Sequence, residues 1–380
     1  MRYALLLVLG LAVPAAAQVP PNIAAELQKI GQIVDPACTA KLYRPLMPKN
    51  DFNTYWPPDA PQPATSSTGA ALYPGVTIVR DQSFGPSPKD VLDIFVGEKG
   101  GKSRPVLIYI AGGAGNKIEQ QVRESNAFYD NIGRWATKNG MVGVLVQRHP
   151  GSGNWDDGGR DLSLAADWIK ANIAKHNGDP NHMVMWAHSA GNGPLGIYIG
   201  HPERWKNGVQ VQGAIFMSGN PVPTAGAPGG GAGRGGFGAP GAPQPGVACG
   251  LSGASMTSAE GHISGPSGFT ATPPAAGRGG PGGRGGPELT PDQRAERDNL
   301  PGFKKTNVKV ALAYAELDPG IMNAQLPANI VALHDEMCKE GRCPQMWMLK
   351  GESHMSEVFS VDTSDQTVSK PVLAFVKKVK

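Results

Sequence analysis

From residue 105 to the C-terminus, short contiguous apolar runs alternate with longer stretches whose apolar residues recur at helical spacing. The runs are Pro105-Val-Leu-Ile-Tyr-Ile110, Met141-Val-Gly-Val-Leu-Val146, His182-Met-Val-Met-Trp186, Val211-Gln-Gly-Ala-Ile-Phe216, Val308-Lys-Val-Ala-Leu-Ala-Tyr314 and Gln345-Met-Trp-Met-Leu349. A strand covered on both faces needs apolar residues at consecutive positions, and most of these runs supply them. Helices are predicted over 125–139, 160–175, from about Ala190, over 322–339 and near 365–378. In the second of these, Leu162, Ala165, Ala166, Ile169 and Ile173 share one face. Parallel strands cannot be joined by tight turns and need crossovers, which the intervening helices provide. The chain therefore predicts an α/β protein with a mostly parallel central sheet and helices on both faces. Two further strands, Gly75–Val79 and Val91–Val96, precede this region. Ile23, Leu27, Ile30 and Val34 mark a helix over 22–34, and the Pro- and Tyr-rich stretch 44–75 reads as an irregular arm.

One segment departs from this pattern. Residues 223–287 hold 22 of the chain's 52 glycines and 10 of its 35 prolines. Large apolar side chains are scarce there, so little burial offsets the entropy of ordering it. It reads as a mobile insertion, with Cys249–Phe269 less biased and able to dock on the core. Its Arg-Gly-Gly units contain three arginines and one aromatic residue, too few for a nucleic-acid-binding tract. Outside it, the 40% hydrophobic and 17% charged composition of the whole chain suits a folded core. A net charge of +4 is too small to imply nucleic acid or an anionic membrane as partner.

The first residues have the layout of an export signal. Arg2 precedes the apolar run Ala4–Val13, and Ala15-Ala16-Ala17 offers a cleavage site before Gln18. The run is too short to span a bilayer, and no Cys follows the cleavage site to take a lipid anchor. The expected product is a secreted or periplasmic protein without a stable membrane anchor. The organisation expected is a signal peptide at 1–17, an N-terminal helix and irregular arm at 18–74, and a catalytic domain at 75–380 interrupted at 223–287. In an oxidising compartment the four cysteines can pair. The turn between Cys338 and Cys343 favours that bridge and leaves Cys38–Cys249 open. No CxxC or HxH spacing points to zinc, and no cofactor or metal is implied.

The strongest chemical signal is Met183-Val-Met-Trp-Ala-His-Ser-Ala-Gly191. A serine between small residues, after an apolar strand and before a helix, matches the nucleophile elbow, in which a strained turn projects the hydroxyl into a cleft. Ala187 and Gly191 are the small neighbours, with alanine in place of the usual first glycine. Ser189 needs a general base held by a carboxylate. The strand ending at Leu349 is followed by His354, the only histidine after it, which makes His354 the base. His334 falls in a helix and reads as structural, and His188 should point away from the Ser189 hydroxyl. The strand at 308–314 is followed by Glu316 and Asp318. Asp318, nearer the loop and next to Pro319, is the first choice for the acid, with Glu316 the alternative. The oxyanion hole should combine the backbone N–H of Ala190 with those of Gly113 and Ala114, in the small-residue loop Ala111–Gly115. Trp155, Asp156 and Asp157 belong either to the pocket wall or to a surface loop.

These pieces resemble the α/β-hydrolase superfamily, in particular secreted bacterial carboxylesterases of the hormone-sensitive-lipase and feruloyl/acetyl-esterase type. The resemblance rests on Ala111–Gly115, Asp161–Trp168, Ala187–Gly191, Ala315–Pro319 and Gly351–Ser356, and spans about 75–222 and 288–380. Ala111 replaces the histidine that often opens the H-G-G-G loop, and the insertion occupies the place of cap elements. The resemblance implies the α/β-hydrolase fold and a Ser189–His354–Asp318 esterase acting on a small-molecule or polymer-borne ester. A peptidase of prolyl-oligopeptidase type shares this sheet, but the chain lacks room for its β-propeller. A catalytically dead hydrolase fold that binds through its insertion is the third reading, and the ordered presence of all three triad residue types argues against it.

Overall fold

The computed structural model describes residues 18–47, 72–112, 127–148, 154–222, 249, 289–319 and 326–379. The expected signal peptide, most of the Pro-rich arm and all of the Gly/Pro insertion except Cys249 lie outside these residues.

Eight strands form one sheet in the order β1-β2-β4-β3-β5-β6-β7-β8. They are β1 (Val76–Ser83), β2 (Val91–Gly97), β3 (Arg104–Ile110), β4 (Val142–Val146), β5 (Gly178–His188), β6 (Gly213–Met217), β7 (Lys309–Leu317) and β8 (Gln345–Ser353). The β1–β2 and β2–β4 pairings are antiparallel; the rest, from β4 through β3 to β8, are parallel. Each expected strand is present, and β5 is longer than its apolar run because it starts at Gly178.

Period-2 alternation divides the sheet residues between two apolar layers. Leu107, Tyr109, Trp186, Ile215 and Met217 face one layer, while Val106, Ile108, Ile110, Met185, Ala187 and Phe216 face the other. Both layers are buried, which explains why the central strands read as continuous apolar runs. Helices α3 (Ala127–Lys138) and α10 (Ser369–Lys378) cover the first layer. Helices α4 (Asp157–Asn172), α5 (Asn192–Gly200), α7 (Leu300–Lys305) and α8 (Leu326–Lys339) cover the second. The short α6 (Pro291–Glu296) opens with a Thr290–Gln293 capping box.

The N-terminal helix expected over 22–34 ends four residues early, as α1 (Pro21–Ile30), and a further helix that the spacing did not point to, α2 (Pro36–Tyr43), follows beyond the expected range. Gly31 ends the first with φ 78°, a left-handed value that favours glycine, and its N–H closes on the Leu27 carbonyl. Asp35 then caps α2 by accepting the Cys38 N–H at 2.9 Å. This region is part of the core: Ile23, Leu27 and Ile30 are buried in the first layer. Tyr43, fully buried, donates its hydroxyl to Asp365 at 2.9 Å. Cys38 is bonded to Cys249 and Cys338 to Cys343, so both pairings weighed from the sequence are formed.

Candidate active site

The C-terminal ends of the parallel strands converge on the site. β5 ends at His188, a single 3-10 turn covers Ser189–Gly191, and α5 follows at once. Turning a strand into a helix within one residue forces Ser189 to φ 52°, a sparsely populated conformation for a side chain with a Cβ. The turn is held because its neighbours leave it no alternative. A Cβ on Gly191 would meet the Ile110 and Ala111 carbonyl oxygens at 2.8 and 2.9 Å, and one on Gly112 would meet the Ser189 Cβ at 2.8 Å. Asn192 donates its amide to both the Ser189 carbonyl (2.8 Å) and the Met217 carbonyl (2.9 Å), tying the turn to β6. The small residues around the serine are thus required by close backbone approach.

Ser189 Oγ lies 2.8 Å from His354 Nε2, and His354 Nδ1 lies 2.9 Å from Asp318 Oδ1. Asp318 and His354 are buried, Ser189 is half-buried and Ala190 is exposed. The chain of polar groups therefore runs from the interior toward solvent and ends at the serine hydroxyl. Asp318 follows β7 and also accepts the Ala315 N–H at 3.0 Å, closing a turn over its own carboxylate. Glu316, the alternative acid, is exposed and accepts the Gly351 N–H at 2.7 Å. It takes no part in the chain from Ser189 to Asp318. The strand pattern separates the two: β7 carries Glu316 outward, whereas Asp318 lies past its end and turns inward.

Of the expected oxyanion donors, Ala190 sits immediately after the serine, on the exposed side of the turn. Gly113 and Ala114 lie outside the described residues. Trp155 packs edge-on to His201 and under Arg204, whose guanidinium reaches Asp156 at 3.1 Å. Asp157 accepts the Asn154 N–H. These contacts hold the start of α4 together. His334, half-buried on α8, bonds the neighbouring Asp335.

Sequence reasoning missed three residues behind the triad. His188 does turn away from the Ser189 hydroxyl, but it lies against His354, with ring centroids 4.8 Å apart, and its Nε2 reaches the His354 carbonyl oxygen at 2.8 Å. Burial, and next the proximity of His354, push its imidazole well below the usual histidine range, so it is neutral and donates to that carbonyl. Ser218, just past β6, touches Asp318 and Glu357, both at 2.7 Å. Glu357 belongs to the one-turn helix α9 (Ser356–Phe359) and is fully buried. Burial, followed by the charge of Asp318, drives its carboxyl well above the ordinary carboxylate range. No sequence motif marks Ser218 or Glu357. For His188 the available signal was its position at the end of a buried strand. Among the described residues, His188, His354 and Glu357 form one close group of metal-ligand types, within 4.8 Å. Each side chain bonds outside the group: His188 Nε2 to the His354 carbonyl, His354 Nε2 to Ser189 and Glu357 Oε1 to Ser218.

A mostly parallel eight-stranded sheet, with its serine on the turn after β5 and an acid and a histidine after β7 and β8, is the α/β-hydrolase architecture. A truncated carbohydrate esterase from gut microbiota has the same fold, at a TM-score of 0.50 and 14% identity over 80% of this chain and 95% of that one. An esterase from the hyperthermophilic archaeon Pyrobaculum calidifontis aligns at a TM-score of 0.48 and 15% identity, over 80% and 85% of the two chains. Within this fold, residues 88–227 match the carboxylesterase family model. A stretch of 69 residues is 33% identical to secreted lipase 5 of Gibberella zeae, covering 18% of this chain. The match spans only 12% of that lipase's length.

Proposed function

We propose that the protein is an exported serine esterase that hydrolyses carboxylic esters through an acyl-enzyme. The observation that carries this reading is the hydrogen-bonded chain Ser189 Oγ–His354 Nε2 (2.8 Å) and His354 Nδ1–Asp318 Oδ1 (2.9 Å), mounted on a strained elbow. The carboxylesterase family match over 88–227 supports the substrate class.

In the mechanism, Ser189 Oγ attacks the ester carbonyl while His354 Nε2 takes its proton. Asp318 accepts the Nδ1–H, fixing the tautomer in which Nε2 is free to act as base, and stabilises the imidazolium that forms. The tetrahedral oxyanion is met by the Ala190 N–H, with Gly113 and Ala114 as its proposed partners. One such donor is worth about 3–4 kcal/mol of barrier. His354 then protonates the departing alkoxide, and water, activated by the same histidine, releases the acid and restores Ser189. Every proton transfer uses side chains of this chain, so the mechanism calls on no cofactor.

The substrate is a small-molecule or polymer-borne ester, with no role for nucleic acid. Export rests on the sequence of residues 1–17 and is consistent with two disulfides. The decisive experiment is turnover of p-nitrophenyl acetate by the mature protein and by Ser189→Ala. Burst kinetics in the wild type and loss of turnover in the variant are expected. Equal rates in the two proteins, or faster cleavage of peptide anilides than of esters, would overturn the reading.

A further inference from the structure

The Ser218 hydroxyl has one hydrogen, yet its oxygen sits 2.7 Å from Asp318 Oδ2 and 2.7 Å from Glu357 Oε1. If both carboxyls were ionised, one of these contacts would set two acceptors against each other with no hydrogen between them. One carboxyl must therefore carry a proton. Asp318 accepts His354 Nδ1 on one oxygen and the Ala315 N–H on the other. These donors favour its ionised form. Glu357 is fully buried, and its second oxygen has no hydrogen-bond partner, with His188 Nε2 at 3.4 Å out of line for a bond. An ionised carboxylate in that position would be stranded.

We propose that Glu357 carries the proton and donates it to Ser218 Oγ, so that Ser218 donates to Asp318 and the two act as a positioning pair for the triad acid. The hydrogens then run in one direction, from Glu357 to Ser218 to Asp318. Asp318 is left as acceptor toward His354, which keeps Nδ1 the protonated ring nitrogen. The Ala315 N–H adds a 3.3 Å contact to Ser218 Oγ. The backbone agrees with a placed group: Ser218 is buried and held at φ 45°, a strained value for serine where glycine would be unstrained. The titratable groups facing Glu357 are Asp318 from the end of β7, Glu352 from β8, His188 from β5 and His354. Burial, and next the charge of Asp318, oppose a charge on Glu357.

The inference concerns how Asp318 is held, and its catalytic arm rests on the esterase reading; its spectroscopic arm does not. Infrared difference spectra of the intact protein, wild type minus Glu357→Gln at neutral pH, should show the loss of one protonated-carboxyl C=O band. Loss of a carboxylate band instead overturns the proposal, whether or not the protein turns over an ester. In kinetics with p-nitrophenyl acetate, Ser218→Gly removes the hydroxyl without backbone strain. It should lower kcat about tenfold at nearly constant KM. It should also move the acid limb of kcat/KM up by about half a pH unit, because Asp318 with one donor fewer holds the imidazolium proton more tightly. Glu357→Leu should lower kcat. Glu357→Gln, whose amide can still donate to Ser218, should recover most of that loss with the acid limb within about 0.2 unit of wild type. An acid limb displaced downward by about half a unit or more in Glu357→Gln would show that a negative charge had been removed, and refutes the proton assignment. Wild-type kcat and profile in Ser218→Gly refute the positioning role.

Discussion

Replacing Asp318 by asparagine changes no volume and one capacity. The carboxylate accepts from three directions: His354 Nδ1 at 2.9 Å, Ser218 Oγ at 2.7 Å and the Ala315 N–H at 3.0 Å. An amide has one acceptor oxygen and a donor NH2. If the oxygen takes the side of Ser218 and Ala315, the NH2 faces His354 Nδ1 and forces that nitrogen to accept. The ring proton then sits on Nε2, where it blocks removal of the Ser189 hydroxyl proton. If the amide flips, its NH2 confronts the Ala315 N–H in a buried turn, two donors with no acceptor between them, at a cost of about 1–3 kcal/mol. The first arrangement is therefore favoured, and it is the inactive one. A wrong tautomer in such a triad lowers kcat roughly 10⁴-fold, or about 5.5 kcal/mol of barrier. Glu316→Gln is the matched control, because that side chain is exposed and its amide oxygen can still accept the Gly351 N–H. It should stay within about twofold of wild type. Initial rates on p-nitrophenyl acetate, with circular dichroism to verify folding, measure both. The reasoning fails if folded Asp318→Asn keeps more than about a tenth of wild-type kcat.

Gly191→Ala drives a Cβ to 2.8 Å from the Ile110 carbonyl oxygen, which the sheet holds in place. Thermal unfolding should show a loss of about 1–3 kcal/mol, accompanied by a fall in kcat as the elbow shifts. Glu352 is buried and held well above the ordinary carboxylate range, by burial first and by Asp365 next. The native state binds this proton more tightly than the unfolded chain. Its contribution is thus complete below the usual carboxylate pKa and is lost as pH rises through the native value. The unfolding midpoint of Glu352→Gln should fall less steeply toward alkaline pH than that of wild type. The Cys38–Cys249 bridge spans 211 residues and Cys338–Cys343 only 5. Chain-entropy arguments give about 5 and about 2 kcal/mol respectively. Cys249→Ser should therefore lower the denaturation midpoint more than Cys343→Ser, and equal shifts would contradict the loop-length account.

The elements that the sequence displayed well are those set by local or pairwise rules. The apolar runs became β3 to β7 because strands buried on both faces must be apolar throughout, whereas β8, at the sheet edge, has an apolar run although Met346 and Met348 are exposed. Ser189 was legible because a strand-to-helix turn needs small residues beside a serine, and Gly112 and Gly191 are small for steric reasons that the contacts now specify. His354 was legible from chain order. The early end of the N-terminal helix and the start of α2 were visible in principle, since Gly31 and Asp35-Pro36 are stop and start signals, but the spacing of Ile30 and Val34 carried the expected helix too far.

Burial and long-range proximity were not legible. Glu316 and Asp318 are two residues apart and chemically equivalent on paper; the end of β7 exposes one and encloses the other. Ser218, Glu357 and His188 come from three separate elements and meet only because the sheet order places β5, β6 and β7 side by side, with α9 packed behind them. The sequence by itself determined the strand-and-helix alternation, the elbow and the types of residue available to a triad, because these follow from periodicity, backbone sterics and chain order. Only the tertiary structure decided which carboxyl faces His354, and which proton stands behind it. Desolvation and hydrogen-bond geometry depend on neighbours that lie 36, 100 and 139 residues apart in the chain.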